Sequence, residues 1–461
     1  MTVTQALIDL FENEKKAGVE VHSLTVYRRG EKIISYAVPP YTLSQKNHVY
    51  SVSKSFTSTA IGIACDMGYL SLDEKIVDIF PEKCPENISE NLAEMTLLHV
   101  LSMNTGHENC VMLQMVNSPD PVKAFLAEKV QYMPGTHFTY NTGATFLASA
   151  CLTKRTSLSV FDFLSKHLFP HMGIECDKWY SHAKISEGGV GIHICTEDMA
   201  KLGLLYLNGG IWQGKRLLSK GYAKTATSIL SDSALNGSAD WCAGYGLQFW
   251  RNAREGYRAD GAYGQLLMVF PKRDMVVALI GECGGMQVEL DAVYDFVDAV
   301  ENASGTADYD AVSENLRDFY KPFEIDDTEC ELFNKTFALS ENKCGFTTVR
   351  FEKNGNGADI YFSTGSDISK ISLSSGKWES GTLKGRYVKP VLEHLTVNYN
   401  EPFEFASSGK IEKNKITAVL RGTNCPHKVT YEFSLCGETL TVNRNGNKND
   451  QHLYSFSGCE V

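Results

Sequence analysis

The chain has 461 residues, 43% hydrophobic and 11% aromatic, enough for more than one core, so two or more structural units are expected. A net charge of −11, with no basic run interleaved with aromatics, argues against nucleic acid as a partner. No stretch reaches the roughly 18 apolar residues a membrane span needs, so no membrane is expected as a partner either.

The opening "MTVTQALIDLFENEKKAG" carries acidic residues and no uninterrupted apolar core, so it does not read as a signal peptide. Thirteen scattered cysteines without a C-x-x-C pair fit free thiols in a reducing compartment, and a cytoplasmic protein is the expectation. "SLTVYRRGEKIISYAV" (23–38) gives two β-rich runs around Arg29-Gly30, a hairpin. From Ser51 to about residue 235 the pattern is mostly helical, and "EDMAKLGLLYLNGG" reads as an amphipathic helix closed by glycines. Strands are predicted in "GYGLQFWRN" and in "GQLLMVFPKRDMVVALIGE", with a turn at 271–274, and a helix over 289–302. Strands from both ends around a helical middle predict one α/β unit over 1–302 whose sheet joins the two ends.

Residues 303–325 are small, polar and acidic, and read as a linker. Beyond them, runs such as "KITAVLRGT" and "KVTYEFSLCGETLTVNRNG" alternate apolar and polar residues between Asn/Gly turns. Residues 326–461 are therefore expected to form a second, all-β domain, a barrel or a sandwich.

The chemistry is concentrated in "VYSVSKSFTSTAIGIACDMG" (49–68). Ser-x-x-Lys occurs five times in the chain, but only Ser51 opens a helical pattern, with Val52, Phe56, Ala60, Ala64 and Met67 at helical spacing. Residues three apart share a helix face, so Lys54 can reach the Ser51 hydroxyl. A desolvated lysine loses its proton readily and can act as a base, and N–H groups at a helix start can hold an oxyanion. The plainer alternative is an N-cap serine beside a surface lysine. Histidines show no metal spacing, and neither a metal nor an organic cofactor is expected.

Six segments set the balance between these readings: "YSVSKSFTSTAIGIACDMGYLSLDEKIVDIFPE", "MTLLHVLSMNTGH", "PGTHFTYNTGATFLAS", "EGGVGIHICTEDMAKLGLLYLNGG", "GYGLQFW" and "RADGAYGQ". In this order, across roughly residues 20 to 300, they resemble the serine β-lactamase and penicillin-binding-protein superfamily, in particular its class C-like esterase and amidase branch and relatives of 6-aminohexanoate-dimer hydrolases. The resemblance implies a transpeptidase-like α+β domain with an antiparallel sheet and a helical subdomain. It implies Ser51 as nucleophile, Lys54 as base and Tyr140, from the Tyr-x-Asn motif, sharing the proton traffic. Thr142 stands where that motif has asparagine, and Asn141 beside it is the other candidate for the role. The third motif, Lys-Thr-Gly or His-x-Gly, falls on Ala259-Asp260-Gly261, which has no cation at its first position; these three residues, with Asn141, Thr142 and Gln265, are the expected substrate-binding set. The backbone N–H of Ala262 is implied to complete an oxyanion hole with that of Ser51. Tyr263 and Gln265 either line the site or cap the turn, and Met103 and His107 either rim the pocket or pack in the core.

These residues imply an acyl hydrolase for a small-molecule ester or amide. Two rivals stay open: a β-lactamase or D-amino-acid peptidase, which the neutral Ala259 and the missing export signal disfavour, and a non-catalytic peptide-binding scaffold, which has no need of Ser51, Lys54 and Tyr140 together. Loops 103–125 and 175–190 are expected to shape the pocket. Every motif lies before residue 303, so the chemistry is expected to reside in the first domain. Oligomeric state is not legible.

Overall fold

In the computed structural model, which describes residues 1–386, 388, 401–446 and 454–461, the two ends of the first 300 residues meet in one antiparallel sheet. Strands β1 (Glu20–Arg28) and β2 (Glu31–Ala37) form the expected hairpin, and β3 (Trp250–Arg251), β4 (Tyr257–Gly261), β5 (Gln265–Phe270) and β6 (Met275–Glu282) complete the order β2-β1-β6-β5-β4-β3. Both faces of this sheet are covered, which is why β5 and β6 read as near-continuous apolar runs. Leu267, Val269, Val276, Ala278 and Ile280 face the helical region, whereas Leu266, Met268, Phe270, Val277 and Leu279 face the opposite layer.

That opposite layer is built by α1 (Val3–Lys16) and α5 (Met286–Val300), the latter starting three residues earlier than predicted. On the other face lie α2 (Ser53–Asp66), α3 (Thr142–Thr156) and α4 (Thr196–Leu207), with shorter helices between them. The predicted strand in "GYGLQFWRN" is largely irregular: only Trp250 and Arg251 are paired in a strand, because Gln248 holds a left-handed φ of 64° that an extended run cannot contain.

The segment 303–325, read from its composition as a linker, is packed. It carries α6 (Tyr309–Asn315), and Ala303, Ala307, Val312, Leu316 and Tyr320 are buried in the α1/α5 core. Its polar residues face outward while these few apolar ones dock, a spacing too sparse for composition to register.

From Thr336 onward the chain forms a closed antiparallel barrel of ten strands among the described residues, ending with Tyr454–Glu460. Its interior, including Phe337, Phe351, Phe362, Leu420, Phe433 and Val442, is a third core. Pairing of its first and last strands closes the sheet, so among the described residues it has no free edge strand.

The barrel is docked on the first region by polar contacts. Arg421 and Lys428 both pair with Glu20, and Arg421 lies 4.3 Å from the Tyr320 ring. The Lys428 amide donates to Glu282 Oε1 at 3.0 Å and the His48 amide to the Asn424 carbonyl at 3.1 Å. Among the described residues no helix is long and apolar enough to cross a membrane, and the cysteines are unbridged.

Candidate active site

Helix α2 runs through the middle of the helical region, and every residue from Ser53 to Ala64 is buried. Its hydroxyls therefore need partners, since an unpaired buried polar group is costly. They find them in the loops around the site: Ser55 Oγ donates to the Gln248 carbonyl at 2.6 Å and Thr57 Oγ1 to the Gly188 carbonyl at 2.8 Å. Ser58 and Thr59 bond the hydroxyls of Tyr222 and Tyr206, both at 3.0 Å. The hydroxyl density of 49–68 thus stitches the central helix to the segments that border it.

Ser51 lies in a 3₁₀ turn, Tyr50–Val52, at the head of α2 rather than in the helix proper. Lys54, only 1% exposed, donates from Nζ to Ser51 Oγ at 2.9 Å and to the Gly189 carbonyl at 2.8 Å. Burial lowers its ammonium to about 7, with Cys110 and Asp260 opposing the shift. Near neutral pH a large fraction of Lys54 is therefore free to accept a proton.

Tyr140 sits just before α3. Its ring lies 4.9 Å from Lys54 Nζ and stacks on Trp250 at 5.3 Å. Tyr140 is half-buried, and desolvation raises its phenol above the usual range, with Asp260 adding to the effect and Ser51 opposing it. Tyr140 therefore stays protonated near neutral pH.

The remaining candidates divide. Gly261 belongs at the site: a Cβ there would stand 2.2 Å from the Val49 carbonyl oxygen and 3.1 Å from the Ser51 nitrogen, so only glycine lets β4 run this close to the Ser51 turn. Ala262 follows in the turn between β4 and β5. Asn141 is committed to structure: its Oδ1 accepts from the Gly143 and Val111 amides at 3.0 and 3.2 Å, capping α3. Thr142 instead packs its Cγ2 against Gly189, where an added Cβ would approach it to 2.6 Å and Lys54 Nζ to 3.3 Å. Thr142 therefore lies near the lysine.

Ala259 is a buried methyl on the helical face of β4. Arg258 and Asp260 point to the other face and pair, Nε to Oδ2, at 2.9 Å. Arg258 also donates to the carbonyls of Asp240 and Arg251 at 3.1 and 2.9 Å and lies 4.9 Å from the Trp241 ring, so this cation is held inside the protein. Asp260, expected to bind substrate, is instead the partner of that arginine. Burial raises its carboxyl, with Arg258 and Lys54 opposing.

Gln265 is also displaced from the substrate-binding set. Its amide donates to the carbonyls of Gly281, Tyr263 and Ala262 at 2.9, 3.2 and 3.4 Å, so it ties the turn to β6. Met103 and His107 are buried, and Met103 Sδ accepts from the Asn141 amide at 3.3 Å; they pack rather than rim.

A cavity of about 530 Å³ opens beside Tyr140, lined by residues 108–110, 136–140 and 232–236. The first expected loop contributes Glu108 to Cys110, but 175–190 does not line it; that loop contributes the Gly188 and Gly189 carbonyls behind α2. Residues 232–236 carry no motif and could not have been placed here from sequence. Gly189 and Trp250 lie in segments that carried the resemblance, but the sequence assigned them no role. Among the described residues no three His, Cys, Asp or Glu side chains cluster to hold a metal.

Residues 7–292 match the family described as Beta-lactamase. The 6-aminohexanoate-dimer hydrolase of Paenarthrobacter ureafaciens is 22% identical over 278 residues, 55% of this chain and 70% of that protein. Among solved structures, the octameric penicillin-binding protein homologue from Pyrococcus abyssi superposes with a TM-score of 0.54 at 13% identity, covering 99% of this chain and 100% of that one. EstCE1, a hydrolase with promiscuous acyltransferase activity, superposes with a TM-score of 0.53 at 15% identity, covering 63% and 99%. The first of these two structures extends the likeness of fold across the barrel as well.

Proposed function

The chain belongs to the Beta-lactamase family and is a serine hydrolase, and on that premise we propose that it cleaves small esters or amides through an acyl-enzyme on Ser51. The observation that carries this reading is the contact of a fully desolvated Lys54 with the Ser51 hydroxyl at 2.9 Å. Neutral Lys54 removes the proton as Ser51 Oγ attacks the substrate carbonyl. The oxyanion rests on the N–H groups of Ser51 and Ala262. Collapse of the tetrahedral adduct breaks the bond to the alcohol or amine, which leaves with the proton held by Lys54, relayed through the Tyr140 hydroxyl. Water then attacks the acyl-enzyme by the same proton path in reverse and releases the acid.

The neutral Ala259 and the enclosed Arg258 favour substrates without a carboxylate beside the scissile bond, hence esters and linear amides over β-lactams. The substrate is a small molecule that enters by the cavity beside Tyr140. Unbridged cysteines support a cytoplasmic location. The test is fluorophosphonate labelling of the purified protein and of Ser51→Ala, followed by a panel of p-nitrophenyl esters, short linear amides, D-peptides and a chromogenic cephalosporin. Labelling that persists in Ser51→Ala would sink the nucleophile assignment.

A further inference from the structure

The two N–H groups assigned to the oxyanion are each flanked by a tyrosine in the left-handed region. Tyr50, before Ser51, has φ 47°, and Tyr263, after Ala262, has φ 68°. Side chains other than glycine rarely adopt this conformation, and it persists only where the surroundings impose it. Here part of the surroundings comes from the barrel.

His427, in the barrel and fully buried, places Nε2 2.5 Å from the Tyr50 hydroxyl. Its ring meets the Tyr263 ring edge-on at 4.7 Å, and the two tyrosine rings meet each other at 5.2 Å. Behind it, Nδ1 faces Glu282 Oε1 at 3.5 Å, at the end of β6. The same strand end is tied to the turn, since the Cys283 amide donates to the Tyr263 carbonyl at 3.0 Å. One imidazole thus touches the residue before the first oxyanion donor and the residue after the second.

We propose that His427 is a positioning residue for the oxyanion hole: by clamping Tyr50 and Tyr263 it fixes the separation of the Ser51 and Ala262 N–H groups. The barrel is then a working part of the site. This rests on the serine acyl-enzyme reading above. The sequence expectation, that all the chemistry resides before residue 303, had no means of finding it, because His427 stands in no catalytic motif.

The test uses the full chain, with His427→Leu, His427→Gln, Tyr50→Phe and the double variant Tyr50→Phe/His427→Leu. For each, fluorophosphonate titration gives the fraction of reactive sites and the inactivation rate, and p-nitrophenyl butyrate gives kcat and KM per reactive site. Misplacing a donor by a fraction of an ångström is expected to lower kcat about 10- to 100-fold with KM little changed. His427→Gln, which keeps a polar group near the Nε2 position, is expected to recover part of that loss. The double variant should be no slower than the slower single one, because both remove the same clamp. Tyr50→Phe deletes a single oxygen and keeps the test open should His427→Leu fold poorly.

A merely structural histidine predicts the opposite pattern: fewer reactive sites, each with the parent kcat. That result, or multiplicative losses in the double variant, would overturn the proposal. Wild-type protein that never reacts with the phosphonate, or a Ser51→Ala variant that does, would instead overturn the acyl-enzyme reading.

Discussion

Lys54 donates its ammonium to the carbonyl oxygen of Gly189, 135 residues further along the chain, at 2.8 Å. That bond holds the side chain where it also meets Ser51, and it does so without supplying a counter-charge. A carboxylate in that place would have kept the lysine protonated; a carbonyl beside a buried amine leaves desolvation in control.

The first consequence is a pH profile. Lys54 is lowered to about 7 from the ordinary 10.5, so the protonated, inactive form dominates below 7. The kcat/KM for p-nitrophenyl butyrate is expected to rise about tenfold per pH unit below that point and to level off above it. A profile measured from pH 5 to 9 checks this, and a flat acid side would remove Lys54 as the base.

Lys54→Ala and Tyr140→Phe should each lower kcat by about 10²–10⁴-fold with smaller changes in KM, because proton transfer belongs to the transition state. Lys54 bonds Ser51 and Tyr140 lies against Lys54, so their combined loss should fall short of the product of the two. Steady-state kinetics on the two single variants and the double variant decide it. Strictly multiplicative losses would argue for independent roles.

Gly261→Ala tests the close approach of β4. The new methyl would meet the Val49 carbonyl oxygen at 2.2 Å and the Ser51 nitrogen at 3.1 Å, and neither is a flexible side-chain end. Overpacking of this kind costs about 1–3 kcal/mol. Urea unfolding should show that loss, and phosphonate reactivity should fall by more than the stability change explains, since the clash falls on Val49, two residues before the nucleophile, and presses on the nitrogen of Ser51 itself.

Substrate preference follows from Ala259. A charge-assisted contact to a carboxylate is worth roughly 1.5–3 kcal/mol, about one to two decades in rate, and the methyl cannot make it. Arg258, paired with Asp260 on the opposite face, does not replace it. A chromogenic cephalosporin should therefore turn over more slowly than p-nitrophenyl butyrate on the same preparation, by at least one decade. Equal rates would overturn the ester and amide reading.

Docking of the barrel should weaken in acid. Burial alone would raise the Glu20 carboxyl, but Arg421 and Lys428 outweigh it and hold it at about 2, against an ordinary 4.5. The unfolded chain therefore takes up this proton first as pH falls. The contribution of the contact, at most about 3 kcal/mol, is complete above 4.5 and is lost between 4.5 and 2. Urea midpoints at pH 7 and pH 3.5 should differ less in Glu20→Gln than in the parent chain.

Local pattern was enough to place the hairpin at Arg29-Gly30, the strands on either side of residues 271–274, the helix after Cys195 and the β-rich second half. Period and turn chemistry act over a few residues, so the sequence alone carries them. It also determined the Ser51–Lys54 pair, because three residues along a helix start is a local distance. What pattern could not reach was anything decided by contact between distant segments. The carbonyl that holds Lys54, the commitment of Asn141 to capping and of Asp260 to Arg258, and the cavity wall at 232–236 all depend on which segments meet. Even the linker-like 303–325 became a docked helix through a few apolar side chains. His427 is the extreme case: nothing in its neighbours along the chain distinguishes it, and only the seating of a closed barrel on the sheet brings its imidazole to Tyr50.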